Sequence, residues 1–117
     1  MNSHVVLALF HILAVVPLFL YVGFARDNTA AQLYPILFGL GLIVFAYHMY
    51  KAVVKWNAGA PSAWVNWIHA LVIGPLLIYI GRNGRDTVRG AYEILLMVAF
   101  AAAGYHGLSL VRELNEK

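Results

Sequence analysis

Four long stretches of the chain contain no Asp, Glu, Lys or Arg. They run over 3–25, 28–50, 56–81 and 94–111. Each is close to the length of about 17 to 25 residues that an α-helix needs to cross the hydrocarbon core of a bilayer. The runs lack the period-two alternation of a membrane β-strand. The pattern therefore predicts an all-α membrane protein with four transmembrane helices.

The amino-acid composition indicates that most of the protein surface faces lipid. Of the 117 residues, 62% are hydrophobic and 11% are charged, whereas about a quarter of the residues of an ordinary soluble domain are charged. Nucleic-acid binding is not expected, because no basic stripe with interleaved aromatic residues is present. The chain has no cysteine, which excludes disulfides, thiolate metal ligands and thiol catalysis.

The loops between the runs are short, which predicts antiparallel neighbouring helices, an up-down bundle and both termini on one side of the membrane. Lysine and arginine counts would set the orientation, but they tie at four on each side. Lys51, Lys55, Arg112 and Lys117 fall on the side of the termini, and Arg26, Arg82, Arg85 and Arg89 fall on the other. We expect the termini on the cytoplasmic side of an integral, multi-pass protein.

The two halves of the chain align without a gap when the sequence is shifted by 58 residues. The matched pairs include His11 with His69, Pro17 with Pro75, Tyr21 with Tyr79, Gly23 with Gly81, Tyr34 with Tyr92 and Tyr47-His48 with Tyr105-His106. This predicts a tandem two-helix repeat within one transmembrane domain spanning 1–117, with unit one at about 3–57 and unit two at about 61–115. Since each copy holds an even number of spans, the copies should be related by a pseudo-twofold axis along the membrane normal.

Each predicted span carries one histidine at a similar depth. His11 and His69 lie about six residues, or ~9 Å, inside the ascending spans, and His48 and His106 lie equally far before the descending spans end. An ionisable residue at this depth usually faces the bundle interior or a wet cavity. The sequence therefore predicts an intramembrane cluster of four histidines.

Three functions fit such a cluster. Proton or cation passage is the function we expect, because an unperturbed imidazole pKa of about 6.5 permits both protonation states near neutrality. Binding of one haem or one transition-metal ion is an alternative, since imidazole is a ligand for both. A structural membrane component is the third, with the imidazoles as interhelical polar contacts. Enzymatic activity is not favoured, because nucleotide-binding, hydrolase and paired-carboxylate motifs are absent from the sequence.

Two prolines and two tyrosines are candidates for supporting roles. Pro17 and Pro75 deny a hydrogen bond to the carbonyl four residues earlier, and a helix kink is the expected result. Tyr47 and Tyr105 lie ~100° around the helix from the histidines that follow them, so we expect them to face a neighbouring helix or lipid.

Two further tyrosines start spans at the side away from the termini. Tyr34 and Tyr92 stand at the beginning of the second and fourth spans. Tyrosine is enriched at membrane interfaces, and we interpret both residues as part of an aromatic belt.

The His-x5-Pro-Leu-x2-Tyr-x-Gly and Tyr-His pattern resembles small uncharacterised multi-pass membrane proteins of large DNA viruses. The resemblance implies a viral or virus-modified host membrane and transfers no active residue. The layout also invites comparison with the cytochrome b561 class, but that class places its haem ligands near opposite membrane faces, whereas these four histidines share one level. Pseudosymmetry is compatible with a homo-oligomer and does not require one.

Overall fold

The computed structural model describes residues 2–116, which are almost entirely helical and contain no strand. Its helices are α1 (Ser3–Asn28), α2 (Leu33–Asn57), α3 (Ala63–Asp86) and α4 (Arg89–Asn115). By length and composition, all four could cross a membrane. The predicted all-α class and the number of long helices are therefore confirmed. Met1 and Lys117, one of the basic residues assigned to the side of the termini, lie outside the described residues.

The helices form two compact units. One unit joins α1 to α4 and consists of the described residues of 1–26 and 89–117, and the other joins α2 to α3 within 27–88. We refer to them as the α1–α4 pair and the α2–α3 pair. Each pair contains the first helix of one repeat copy and the second helix of the other copy. The predicted repeat units, 3–57 and 61–115, and the compact units are thus different divisions of the chain.

Glycines hold α2 and α3 close together. A Cβ atom added to Gly41 would lie 2.8 Å from the backbone nitrogen of Ile78, and one added to Gly81 would collide with the backbone of Phe38. Helices in a membrane gain most from such close backbone packing, because lipid offers no hydrophobic force between them. The α2–α3 pair is therefore fixed by the position of its small residues.

The α1–α4 pair repeats this contact at the matching positions. A Cβ atom on Gly23 would lie 2.5 Å from Cδ2 of Leu96 and 3.3 Å from the carbonyl oxygen of Tyr92. Gly23 corresponds to Gly81, and Leu96 corresponds to Phe38. The positions buried in both pairs include Val16 and Gly74, Phe19 and Leu77, Val22 and Ile80, Tyr34 and Tyr92, Leu37 and Leu95, and Gly41 and Ala99. The repeat thus extends from the sequence to the packing.

Tyr34 and Tyr92 differ from the expected interfacial belt. Both side chains are buried, with exposures of 6% and 1%. A glycine of the paired helix lies beside each tyrosine. Gly23 lies beside Tyr92, and Gly84 lies beside Tyr34. Helix packing therefore covers side chains that we expected in an aromatic belt, and their level at the membrane interface stays a prediction.

The helices α1 and α3 share the same irregularities. Each contains one π-helical turn, over His11–Val15 and over His69–Ile73. In these turns, the Val16 amide donates to the His11 carbonyl, five residues earlier, and the Gly74 amide donates likewise to the His69 carbonyl. A proline follows one residue later and has no N–H to continue the ladder. A π-turn that begins at a histidine thus precedes each proline, and the kink expected at the prolines stays a prediction.

Candidate functional site: two stacked histidine pairs

His11 and His106 lie face to face in the α1–α4 pair. Their ring centroids are 4.1 Å apart, and their planes differ by 19°. His106 is buried, with 8% of its surface exposed, on a helix whose nearby Ala99 is fully buried. The first helix of one repeat copy and the second helix of the other thus bring two imidazoles into contact.

His48 and His69 form the same arrangement in the α2–α3 pair. Their centroids are 4.3 Å apart, and their planes differ by 26°. Both rings are partly buried. The structure therefore brings the four predicted histidines together two by two. Their assembly into a single cluster of four stays a prediction.

In two of the four rings, a backbone carbonyl oxygen shows which nitrogen carries the hydrogen. Nδ1 of His11 lies 2.8 Å from the carbonyl oxygen of Leu7, and Nδ1 of His69 lies 2.7 Å from that of Val65. A carbonyl oxygen only accepts, so each Nδ1 carries a hydrogen and donates it. In the neutral ring, Nε2 is then the nitrogen with the lone pair, able to take a proton or a ligand.

His48 is held by a side chain of the opposite helix. Its Nδ1 lies 3.0 Å from Oδ1 of Asn66, which is buried at 5% exposure. With Oδ1 of Asn66 as the acceptor, Nδ1 of His48 donates and the lone pair of His48 lies on Nε2. Sequence reasoning missed Asn66. The available signal was an amide inside a charge-free run at the position that matches Ala8 in the first copy.

The supporting tyrosines touch the histidines edge to face. The rings of Tyr47 and His48 are 5.2 Å apart at 86°, and those of Tyr105 and His106 are 5.2 Å apart at 89°. Tyr47 and Tyr105 remain about half exposed, at 55% and 48%. That they face a neighbouring helix or lipid stays a prediction.

The stacked geometry constrains metal or haem binding. An imidazole binds a metal at ~2.0–2.1 Å along the lone pair in its ring plane. Nearly parallel rings at 4.1 and 4.3 Å direct these lone pairs side by side, not toward one ion. They also leave no space for a porphyrin between them. Within residues 2–116, no group of three or more His, Asp or Glu side chains is placed to hold a metal ion. A metal or haem in either pair would require a ring to rotate.

No known protein family, curated protein or solved structure matches the chain.

Proposed function

We propose that this protein lets protons pass across a membrane and that each stacked histidine pair is a proton-binding site. The observation that carries the proposal is the double occurrence of two imidazoles at 4.1 and 4.3 Å on helices of membrane-spanning length. Imidazole is the side chain that gains and loses a proton most readily near neutrality. Three of the four rings have an Nδ1 contact that leaves Nε2 as the exchanging nitrogen.

Ring stacking favours one additional proton per pair. Two unit charges about 4 Å apart repel each other by about 4 kcal/mol at an effective dielectric constant of about 20. A single imidazolium beside a neutral imidazole avoids this repulsion. A second proton on the same pair would meet this repulsion, and the bound proton is exchanged with water.

The hydrogen bonds define where a proton enters and leaves. When Nε2 of His11 or His69 takes a proton from water, the ring becomes an imidazolium with both nitrogens protonated. The Nδ1 proton stays with its bond to the carbonyl of Leu7 or Val65, since an amide oxygen is too weak a base to pass it on. The proton leaves again from Nε2 to water and restores the neutral tautomer.

The membrane arrangement belongs to the same proposal. Four helices of spanning length joined by short connections support an up-down topology, with both termini on one side and, we propose, in the cytoplasm. The pseudo-twofold axis, the viral membrane and the homo-oligomer stay predictions.

Proton flux into proteoliposomes tests the function. The purified full chain is reconstituted with a pH-sensitive dye inside the vesicles, and a potassium–valinomycin potential drives uptake. We expect His11→Ala and His69→Ala each to lower the flux at least about tenfold, in line with the loss of a proton-transferring group. His4→Ala is the matched control, because His4 lies on the same helix as His11, is exposed and belongs to neither pair. Flux that is absent in the wild type, or equal in all variants, would overturn the proposal.

A structural role is the second candidate, and one contact favours it. The bond of His48 to Asn66 joins α2 to α3, and such interhelical polar contacts stabilise membrane helices by about 0.6 to 2 kcal/mol. Under this alternative, His48→Ala lowers the stability of the protein in detergent, while the vesicles show no flux with any variant.

A further inference from the structure

The two histidine pairs differ at one buried polar position. Asn66 on α3 contacts His48, whereas the matching position on α1 is Ala8. Both residues are buried, at 5% and 1% exposure. The methyl group of Ala8 cannot accept a hydrogen bond, so the α1–α4 pair lacks this particular contact. The repeat therefore provides two versions of one site, one with an amide and one without.

Asn66 and His69 act on His48 from the same helix. They are three residues apart on α3, a spacing that places both side chains on one face. His69 stacks on the ring of His48 at 4.3 Å, and Oδ1 of Asn66 lies 3.0 Å from its Nδ1. One contact fixes the plane of the ring, and the other fixes which nitrogen carries the hydrogen.

We infer that Asn66 is a positioning residue that locks His48 in its Nδ1–H tautomer and thereby makes the two histidine pairs inequivalent. His69 is held in the same tautomer by the Val65 carbonyl. Both rings of the α2–α3 pair then present Nε2 as the basic nitrogen. If the proposed proton function holds, on which this step rests, the α2–α3 pair exchanges protons at two matched Nε2 atoms without a prior tautomer change.

The Asn66 amide could lie in either of two orientations, and each predicts a different tautomer of His48. With its nitrogen toward His48, the amide would donate to Nδ1, and His48 would carry its hydrogen on Nε2. The two tautomers have different ¹⁵N chemical shifts at Nδ1 and Nε2. A spectrum of the neutral protein therefore distinguishes the two orientations.

The experiment is ¹⁵N NMR of the full chain in lipid nanodiscs with labelled histidine, at a pH where the rings are neutral. We expect His11, His48 and His69 to show Nδ1–H in the wild type. In Asn66→Leu, His48 should lose the preference for this tautomer, while His11 and His69 keep it and so report an intact fold. Asn66→Asp retains an oxygen acceptor and should restore Nδ1–H at His48.

Two results would overturn the role of Asn66: Nε2–H at His48 in the wild type, or an unchanged Nδ1–H signal in Asn66→Leu. The wild-type spectrum decides the matter even if Asn66→Leu does not fold. Flux separates the two proposals, since vesicles without proton uptake would refute the proton function while the tautomer result stands. With both correct, Asn66→Leu also lowers the flux.

Discussion

Arg26 and Gly84 adopt almost the same unusual backbone conformation, 58 residues apart. Arg26 has φ 53° and ψ −125°, and Gly84 has φ 56° and ψ −130°. Each caps the α-helical part of its helix and begins a short 3₁₀ turn, Arg26–Asn28 or Gly84–Asp86. Glycine enters this region without steric cost, but a residue with a Cβ atom does not. The fold therefore imposes one conformation on both copies, and one copy bears strain.

Arg26→Gly should stabilise the protein. Removing the Cβ atom relieves strain of about 1 to 3 kcal/mol, offset in part by the greater freedom of glycine in the unfolded chain, for a net gain of about 1 kcal/mol. Thermal unfolding in detergent, followed by circular dichroism, measures the change. Gly84→Ala is the reciprocal control and should lower the melting temperature. A lower melting temperature for Arg26→Gly would show that its side chain contributes more than the strain costs.

Gly81→Ala should destabilise the α2–α3 pair. The new methyl group would collide with the backbone of Phe38, which cannot move as a flexible side chain can, so overpacking should cost about 1 to 3 kcal/mol. The measurement is the free energy of unfolding in mixed micelles.

Gly39→Ala is its matched control on α2. A Cβ atom at Gly39 meets no atom within 4 Å, so this variant should unfold within about 0.5 kcal/mol of the wild type, as most substitutions outside packed positions do. Equal stability of the two variants would mean that α2 and α3 are not packed as described.

Pro75→Ala should separate the rings of His48 and His69. Alanine restores an N–H that can bond to the carbonyl of Leu71, which favours a regular α-helix in place of the π-turn at His69–Ile73. The extra residue of the π-turn would then join the regular α-helix. This rotates the helix on one side of the turn by ~100° relative to the other side. Nuclear Overhauser contacts between the two rings should disappear.

Pro35→Ala provides the control for this change. Pro35 is exposed in the first turn of α2, where a backbone N–H has no intrahelical partner in any case. The ring contacts should persist in this variant. If they also persist in Pro75→Ala, the π-turn is set by helix packing and not by the proline.

The native preparation should contain neither haem nor stoichiometric metal. The stacked rings of each pair do not point two lone pairs at one ion, so binding would require a ring to leave its stack. Absorption spectroscopy and elemental analysis of protein purified without chelator provide the measurement. A Soret band, or one zinc, copper or iron per chain that is lost in His69→Ala, would favour the metal-binding alternative over proton passage.

The sequence predicts the helices and the repeat because both can be recognised from the order of residues along the chain. Charge-free runs have the length of a span, and residues such as His11 and His69 recur at one spacing. It does not predict which helices pair. His11 could meet any of the other three histidines, and the choice follows from the close fit of Gly23 with Leu96 on α4, a contact that no local pattern encodes.

The sequence points to the four histidines of the candidate site but not to how their rings contact one another. Stacking of the rings depends on helix pairing, and so does the burial of Tyr34, which the aromatic-belt interpretation did not foresee. Asn66 differs from the matching Ala8 in the sequence, but its contact with His48 is visible only in the structure. The sequence does not show which group a buried amide in a charge-free span contacts, so its role cannot be predicted.

The crossed pairing of the copies has a consequence for a chain with a single copy. The first helix of each copy packs on the second helix of the other, so a lone hairpin lacks both of these partners. It would recover them from a second identical hairpin, with each subunit lending a helix to its twin. In such a dimer, each imidazole contact would lie between the two subunits, whereas the tandem repeat makes both contacts within one chain.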